Sequence, residues 1–241
     1  MSETSTLISC TGKITRAELA KLPTPLATET HVPISHSAVI EALVETLGHR
    51  HIGVVAEEFA VSTDAMEMFG VLDLETSFQG CRFAIGIRNA NNKRFRLACT
   101  VGLRVFVCHN LAFGGDYTPV LAKHSKRFSL EDALSIGVDR MQRNFEPMRR
   151  QVESWQSQQL SAEEAKLMIY RAFVEGDLDI PKHLARRVHE LYFAPQHEEF
   201  EPRTMWSLSN AFTSAFKELD PIPQFKATTK LAEFFQTQLV S

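Results

Sequence analysis

The sequence predicts an α+β protein in which an antiparallel β-hairpin sheet of about five strands follows an N-terminal helix and precedes a helical C-terminal half. Apolar runs of strand length lie between residues 52 and 108, and an Asn-rich turn separates two of them. After Gly114-Gly115 the apolar residues recur at helical spacing to the end of the chain. Strands grouped before helices are typical of an α+β fold rather than of alternating βαβ units.

The N-terminal part of the chain divides into an irregular segment and a first helix. Residues 1–30 are predicted to be mostly irregular because Pro23 and Pro25 interrupt any regular element. A single α+β domain is predicted over residues 31–241, sheet-rich at 50–110 and helical at 128–240. Ser35 is a suitable N-cap for a helix over 36–47, which ends at Gly48.

The strands and the later helices are predicted from alternation, turn residues and capping signals. Asn89-Ala90-Asn91-Asn92 is expected to close a hairpin, and Ser161 with Glu164 forms a capping box. Pro147 is expected to kink the first long helix. The predicted strands are 52–60, 67–74, 82–88, 94–101 and 103–108, with turns at 62–64 and at Gly102. The predicted helices are 129–155, 161–176, 181–193, 204–219 and 226–239.

Charge is distributed unevenly, although the net charge is only −3. Residues 1–75 carry 4 basic and 11 acidic side chains, whereas residues 76–130 carry 9 basic and 1 acidic. Clustered like charges repel, so an anion is expected beside the basic segment. The anion could be an external ligand such as phosphate or the acidic first third of the chain itself. The candidate nucleic-acid-binding residues are Arg82, Arg88, Lys93, Arg94, Arg96, Arg104, Lys123, Lys126 and Arg127.

Alternation in the hairpin gives its two faces different characters. Phe83, Ile85 and Ile87 share the core face of one strand, and Phe95 lies on the core face of the next. The opposite face carries arginines between small residues, which would let a ligand or a packed helix approach the backbone closely. Phe113 and Tyr117, beside the Gly-Gly turn, are the better candidates for stacking on bases.

Other chemistry receives little support from the sequence. Cys108-His109-Asn110 contains the residue types of a thiol protease, but neighbours on a strand point to opposite faces. His49 and His51 could hold a metal together with His31 or His36, although no other spacing supports such a site. No phosphate loop, dinucleotide fingerprint or cofactor motif is present, so no cofactor is expected. The four cysteines, the absence of an apolar span of eighteen residues and the polar N-terminus favour a cytoplasmic protein.

Three short motifs resemble those of a phage- and plasmid-associated family, domain of unknown function 932. They are residues 104–111 with the pattern Arg-x-x-x-Cys-x-Asn, residues 204–213 with a Trp-x-x-x-Asn-Ala-x-Thr helix, and the upstream 32–35 segment. The resemblance covers residues 30–220 and implies a bacterial mobile-element context without transferring an activity. The motif positions are Arg104, Cys108, Asn110, Trp206, Asn210 and Thr213.

These observations favour a non-enzymatic protein that binds single-stranded DNA or RNA through a basic sheet face, with strand annealing and homo-oligomer formation as further hypotheses. One alternative is a protein–protein module, such as an inhibitor of a host defence complex, whose acidic first third would dock on a basic partner. Another is an enzyme acting on a phosphorylated substrate, with Arg94, Arg96 and Arg104 as an anion clamp.

Overall fold

A computed structural model describes residues 13–106, 111–113, 120–126, 128–176, 178, 180–219 and 221–238. The chain divides into two compact units. One unit, the sheet unit, comprises Cys10–Leu103 and Tyr117–Asn144. The other, the helical unit, comprises Met1–Ser9, Arg104–Asp116 and Phe145–Ser241. The single domain over residues 31–241 stays a prediction.

The elements confirm the predicted α+β class, with strands in the first half and helices in the second. The strands are β1 (Lys13–Ile14), β2 (Val54–Val61), β3 (Glu67–Phe78), β4 (Cys81–Ala90), β5 (Leu97–Val105), β6 (Leu111–Phe113) and β7 (Val120–Ala122). The helices are α1 (Arg16–Leu19), α2 (His36–Gly48), α3 (Leu130–Ser157), α4 (Ala162–Tyr170), α5 (Leu184–Phe193), α6 (Met205–Ala215) and α7 (Pro221–Gln238).

The sheet follows chain order from β1 to β5, and β7 also pairs with β5. The β3–β4 hairpin runs from the pair Glu67↔Ala90 to the pair Phe78↔Cys81. Both residues of its turn, Gln79 and Gly80, have positive φ, as a two-residue hairpin turn of the favoured twist requires. These strands are therefore longer than the predicted 67–74 and 82–88.

The predicted strands 94–101 and 103–108 are wrong in their boundaries, because one strand, β5, spans Leu97–Val105. Gly102 does not interrupt it, since buried residues continue the extended pattern on both sides. Residues 91–96 form a loop before β5, whose pairing with β7 begins at Leu97, opposite Ala122. Lys93 in this loop has a φ of +67°, which is incompatible with a strand.

The arginine-bearing face of the hairpin is largely covered, which agrees with the second of the two alternatives, a packed element. All of β5 is buried, and in β4 only Arg82 and Arg88 are half-exposed. Strands buried on both faces show apolar or small residues in both alternating sets. Ala84 and Gly86 on the arginine-bearing side fit this arrangement, so packing rather than an open surface explains the small residues.

Some helix boundaries follow their capping signals, and others do not. Ser161 and Glu164 form the predicted capping box of α4, and the following π-turn ends at Gly176 with a φ of +86°. Ser129 accepts a hydrogen bond from the Asp132 amide at the start of α3. Ser35, by contrast, makes no side-chain cap for α2. Helix α5 begins at Leu184 rather than at 181, and α7 begins at Pro221 rather than at 226.

Each unit has its own apolar core. In the sheet unit, α2 buries Val39, Ile40, Leu43 and Leu47, which confirms the predicted helical stripe. In the helical unit, the ring centroid of Phe212 lies 5.7 Å from the centroids of both Phe173 and Phe235. Within the part of the chain that the structure describes, no helix combines the length and the apolar character that a bilayer crossing requires.

Candidate functional site

Three segments that are distant in sequence meet in the sheet unit and form a pocket of about 420 Å³. They are the chain before α2, the loop 91–96 between β4 and β5, and the chain that follows β7. The lining residues are Thr30, His31, Ala90, Lys93, Arg94, Phe95, Arg96, Lys123, His124 and Ser125. We call this cavity the basic pocket, because four of its lining residues are Lys or Arg and none is Asp or Glu.

Hydrogen bonds fix the shape of the loop 91–96. The Asn91 amide donates to the Met66 carbonyl at 2.8 Å, and the Asn91 side-chain oxygen accepts from the Ile34 amide at 3.0 Å. The Asn92 side chain accepts from the Arg94 amide at 3.1 Å, which forms a local turn. The loop therefore presents its cations from a defined backbone rather than from a free connection.

The pairing of β5 with β7 brings two cations together at the mouth of the basic pocket. Leu97 lies opposite Ala122 in this antiparallel pair. Arg96 precedes Leu97 and Lys123 follows Ala122. These two cations are therefore neighbours just beyond the last residue pair of the two strands. Both are exposed. This convergence of residues 27 positions apart is a consequence of strand register.

Arg94 is the one cation of the pocket whose charge is balanced within the described structure. Its guanidinium lies 3.1 Å from a carboxylate oxygen of Glu67, which is buried and also accepts from the Asn92 side chain at 2.8 Å. The acidic first third of the chain thus supplies part of the counter-charge. Among the described residues, Lys93, Arg96 and Lys123 form no ion pair.

Two buried histidines form the inner wall of the basic pocket. The rings of His31 and His124 are stacked, with centroids 5.4 Å apart and planes 10° apart. The His31 nitrogens lie 3.2 Å from the His124 carbonyl oxygen and 3.1 Å from the Asn91 carbonyl oxygen. His31 therefore connects all three segments of the pocket and positions its wall.

His124 has no such partners. Its side chain is only 6% exposed, and neither ring nitrogen has a hydrogen-bond partner among the described residues. Burial, followed by the charges of His31 and His36, lowers the pKa of His124 to about 4. The ring is therefore neutral at pH 7, with one donor and one acceptor nitrogen.

The sequence prediction missed the roles of His31 and Phe95. The sequence pattern suggests His31 only as a metal ligand and places Phe95 on the core face of a strand. Phe95 instead lies half-buried in the loop, 5.4 Å from the Phe69 ring, with the Arg88 guanidinium 5.5 Å from its centroid. Burial lowers the pKa of Arg88. Near His124 the sequence shows only the basic run 123–127, which is typical of an exposed surface and does not indicate a buried histidine.

The structure separates the nine predicted binding residues. Lys93, Arg94, Arg96 and Lys123 line the basic pocket, and Lys126 is exposed in the same chain segment. Arg82 and Arg88 are half-buried in β4, and Arg104 is buried in β5. Arg127 lies outside the described residues. Of the predicted clamp, Arg94 and Arg96 line the basic pocket, whereas Arg104 is not among its lining residues.

The family-motif positions lie elsewhere. Trp206, Asn210 and Thr213 are buried in α6, where the Asn210 side-chain amide Nδ2 donates to the Trp206 backbone carbonyl at 3.0 Å. Asn210 also lines a second cavity, of about 160 Å³, together with Arg187 and other polar side chains. Cys108 and Asn110 lie outside the described residues, as do His109 and Tyr117.

The remaining histidines and cysteines that the structure describes lie apart from the basic pocket. Among the described residues, no three His, Cys, Asp or Glu side chains lie close enough together to hold a metal ion. His36 is hydrogen-bonded to the Ala65 carbonyl and to Asn89. Burial raises the pKa of the Cys99 thiol to about 12, so this cysteine is an unreactive core residue.

Comparison with known proteins identifies no relative of this chain. No protein-family description matches the chain. No curated protein and no solved structure matches it either. The resemblance to the phage- and plasmid-associated family therefore stays a prediction.

Proposed function

We propose that this chain is a cytoplasmic, non-enzymatic protein of a phage or plasmid that binds single-stranded nucleic acid through the basic pocket and its rim. The rim consists of Lys93, Arg94, Arg96, Lys123 and Lys126. Strand annealing and assembly into a homo-oligomer are further parts of this proposal. The mobile-element context rests on the motif resemblance alone.

One observation carries the proposal: exposed Lys93, Arg96 and Lys123 converge on a pocket that has no carboxylate in its lining. Like charges held a few ångströms apart in water repel by roughly 1 kcal/mol per pair. A phosphate backbone relieves this repulsion and releases its own counterions on binding. The half-buried ring of Phe95 and the concave shape favour a single strand, whose bases are free to enter, over a duplex.

The test measures the affinity for a labelled single strand of about 30 nucleotides by fluorescence anisotropy. It compares the wild type with a triple variant, Lys93→Gln, Arg96→Gln and Lys123→Gln. Arg94 is kept, because its removal would leave the buried Glu67 carboxylate without its cation. A control triple variant, Lys21→Gln, Arg140→Gln and Lys182→Gln, changes the net charge equally at exposed positions outside the pocket.

We expect tight binding by the wild type and the control, and a loss of at least tenfold in affinity for the pocket variant. A duplex of the same sequence should bind more weakly than the single strand. Equal affinities of the two triple variants would contradict the proposal, because the chain would then bind through net charge or another surface.

A protein–protein module is the second candidate function. It is supported by the exposed apolar side chains of Leu167, Tyr170 and Val174, which recur at helical spacing on α4 and its π-turn. Absence of strand binding in the assay above would favour this candidate.

An enzyme acting on a phosphorylated substrate has weaker support. The basic pocket is concave and joins cations with the imidazole of His124, as such an enzyme requires. However, a general base works best when its pKa lies near the working pH, and the pKa of His124 is about 4. His124 is therefore better suited to hydrogen bonding than to proton abstraction.

A further inference from the structure

The basic pocket combines two kinds of surface that a phosphate group alone would not need. Its rim is cationic, but its interior is formed by Ala90, the ring of Phe95 and the stacked rings of His31 and His124. A volume of about 420 Å³ lies in the range typical of small-molecule sites. Aromatic walls beside cations are the combination with which proteins hold unstacked bases of single strands.

The unpartnered ring of His124 indicates which chemical class of ligand the basic pocket binds. Buried polar groups nearly always have a hydrogen-bond partner, and those without one call for a ligand or an ordered water. A neutral imidazole has one nitrogen that donates and one that accepts. A phosphate oxygen can satisfy only the donor, whereas a nucleobase carries both amino or ring N–H donors and nitrogen or carbonyl acceptors.

The cations lie where a phosphate attached to such a base can reach them. Arg96 and Lys123 are neighbours across the end of the β5–β7 pair, and Lys93 lies in the same loop as Phe95. The rim charges are exposed, whereas His124 is buried within the wall. The pocket is therefore cationic at its rim and aromatic in its wall, where both His124 nitrogens are buried without a partner among the described residues.

We propose that the basic pocket receives one nucleotide of the bound strand. Its base lies against Phe95 and is hydrogen-bonded by His124, and its phosphate is held by Lys93, Arg96 and Lys123. This inference rests on the proposed function and adds that the protein anchors the strand through one unstacked base. His31, which joins the three segments of the pocket, is a positioning residue.

The test uses NMR of the histidine ring signals in the full chain at pH 7, with the His124 signal assigned from the spectrum of His124→Phe. The probes are the four nucleoside 5′-monophosphates and ribose 5-phosphate, which has the sugar and phosphate but no base. We expect at least one nucleoside monophosphate to shift the His124 signal and to displace the labelled strand. Ribose 5-phosphate should do neither at the same concentration.

A variant provides a second readout. His124→Phe keeps a ring in the wall but removes both nitrogens, so strand affinity should fall about five- to tenfold while the dependence on salt is unchanged. Phe95→Leu should lower the affinity by a similar factor, since base–aromatic stacking is lost. If His124→Phe does not fold, displacement of the labelled strand from the wild type still decides the question, because a nucleoside monophosphate should displace the strand and ribose 5-phosphate should not.

The outcomes separate this inference from the proposed function. Strand binding without any effect of the monophosphates on His124 would overturn the nucleotide pocket and leave strand binding in place. An equal effect of ribose 5-phosphate would also overturn it, because the base would not be recognised. A shift of His124 without any strand binding would support nucleotide recognition by the pocket and overturn the proposed function.

Discussion

The buried neutral ring of His124 leads to a quantitative prediction about pH and stability. The pKa of His124 is about 4 in the folded protein, against an ordinary value of 6.5. Between these values the unfolded chain binds a proton that the folded chain does not. Because stability rises with pH wherever the unfolded state binds more protons, stability must fall as pH falls from 6.5 towards 4.

The magnitude follows from the two pKa values. Linkage gives a loss of about 2 kcal/mol between pH 7 and pH 5 and about 3 kcal/mol by pH 4, with almost no change above pH 7. His36 is also buried with a lowered pKa, so the wild type contains a second contribution of the same sign. The difference between the wild type and His124→Phe isolates the His124 term, since the variant retains His36.

The assay is urea unfolding of the wild type and His124→Phe at pH 7, 5.5, 5 and 4. We expect the stability of the variant relative to the wild type to increase by about 2 kcal/mol between pH 7 and pH 5. His49→Phe, which removes an exposed ring, is the matched control. A difference between the wild type and His124→Phe that stays constant over this range would refute the buried neutral imidazole on which the nucleotide pocket depends.

Three further substitutions test other parts of the structure. Glu67→Gln removes the partner charge of Arg94, so strand affinity by anisotropy should rise by roughly two- to fivefold; an unchanged affinity would show that Arg94 does not contact the strand. Phe212→Ala opens the fully buried aromatic cluster of the helical unit and should cost about 3–5 kcal/mol in urea unfolding, and a cost below 1 kcal/mol would contradict that packing. Ser161→Ala removes the α4 capping box and should cost about 1 kcal/mol in the same assay, whereas an unchanged stability would contradict the cap.

Local signals made most of the fold predictable from the sequence. Ser161 with Glu164, Gly176 and the apolar stripe of α2 are short-range features, and each marks the element that the structure contains. The strand boundaries were less accurate because pairing decides them. Strand β5 begins at Leu97, opposite Ala122 of β7, so its start reflects pairing with a strand about 25 residues later in the chain.

The charges of the site were predictable, but its shape was not. The excess of basic residues between 76 and 130 identified Lys93, Arg94, Arg96 and Lys123. Alternation alone could not show that both faces of β5 are buried, because small residues suit a ligand and a packed element equally. His31 and His124 meet only in the folded chain, 93 positions apart, so no local pattern could pair them.

The dependence of strand binding on salt tests the central claim most directly. The logarithm of the binding constant for a single strand falls with the logarithm of salt concentration, with a slope of about −0.7 for each phosphate neutralised. Replacing Lys93, Arg96 and Lys123 by Gln should therefore make the slope shallower by about 2, while the Lys21, Arg140 and Lys182 control keeps the wild-type slope. Identical slopes for the wild type and both triple variants would contradict the basic pocket as the phosphate-binding site.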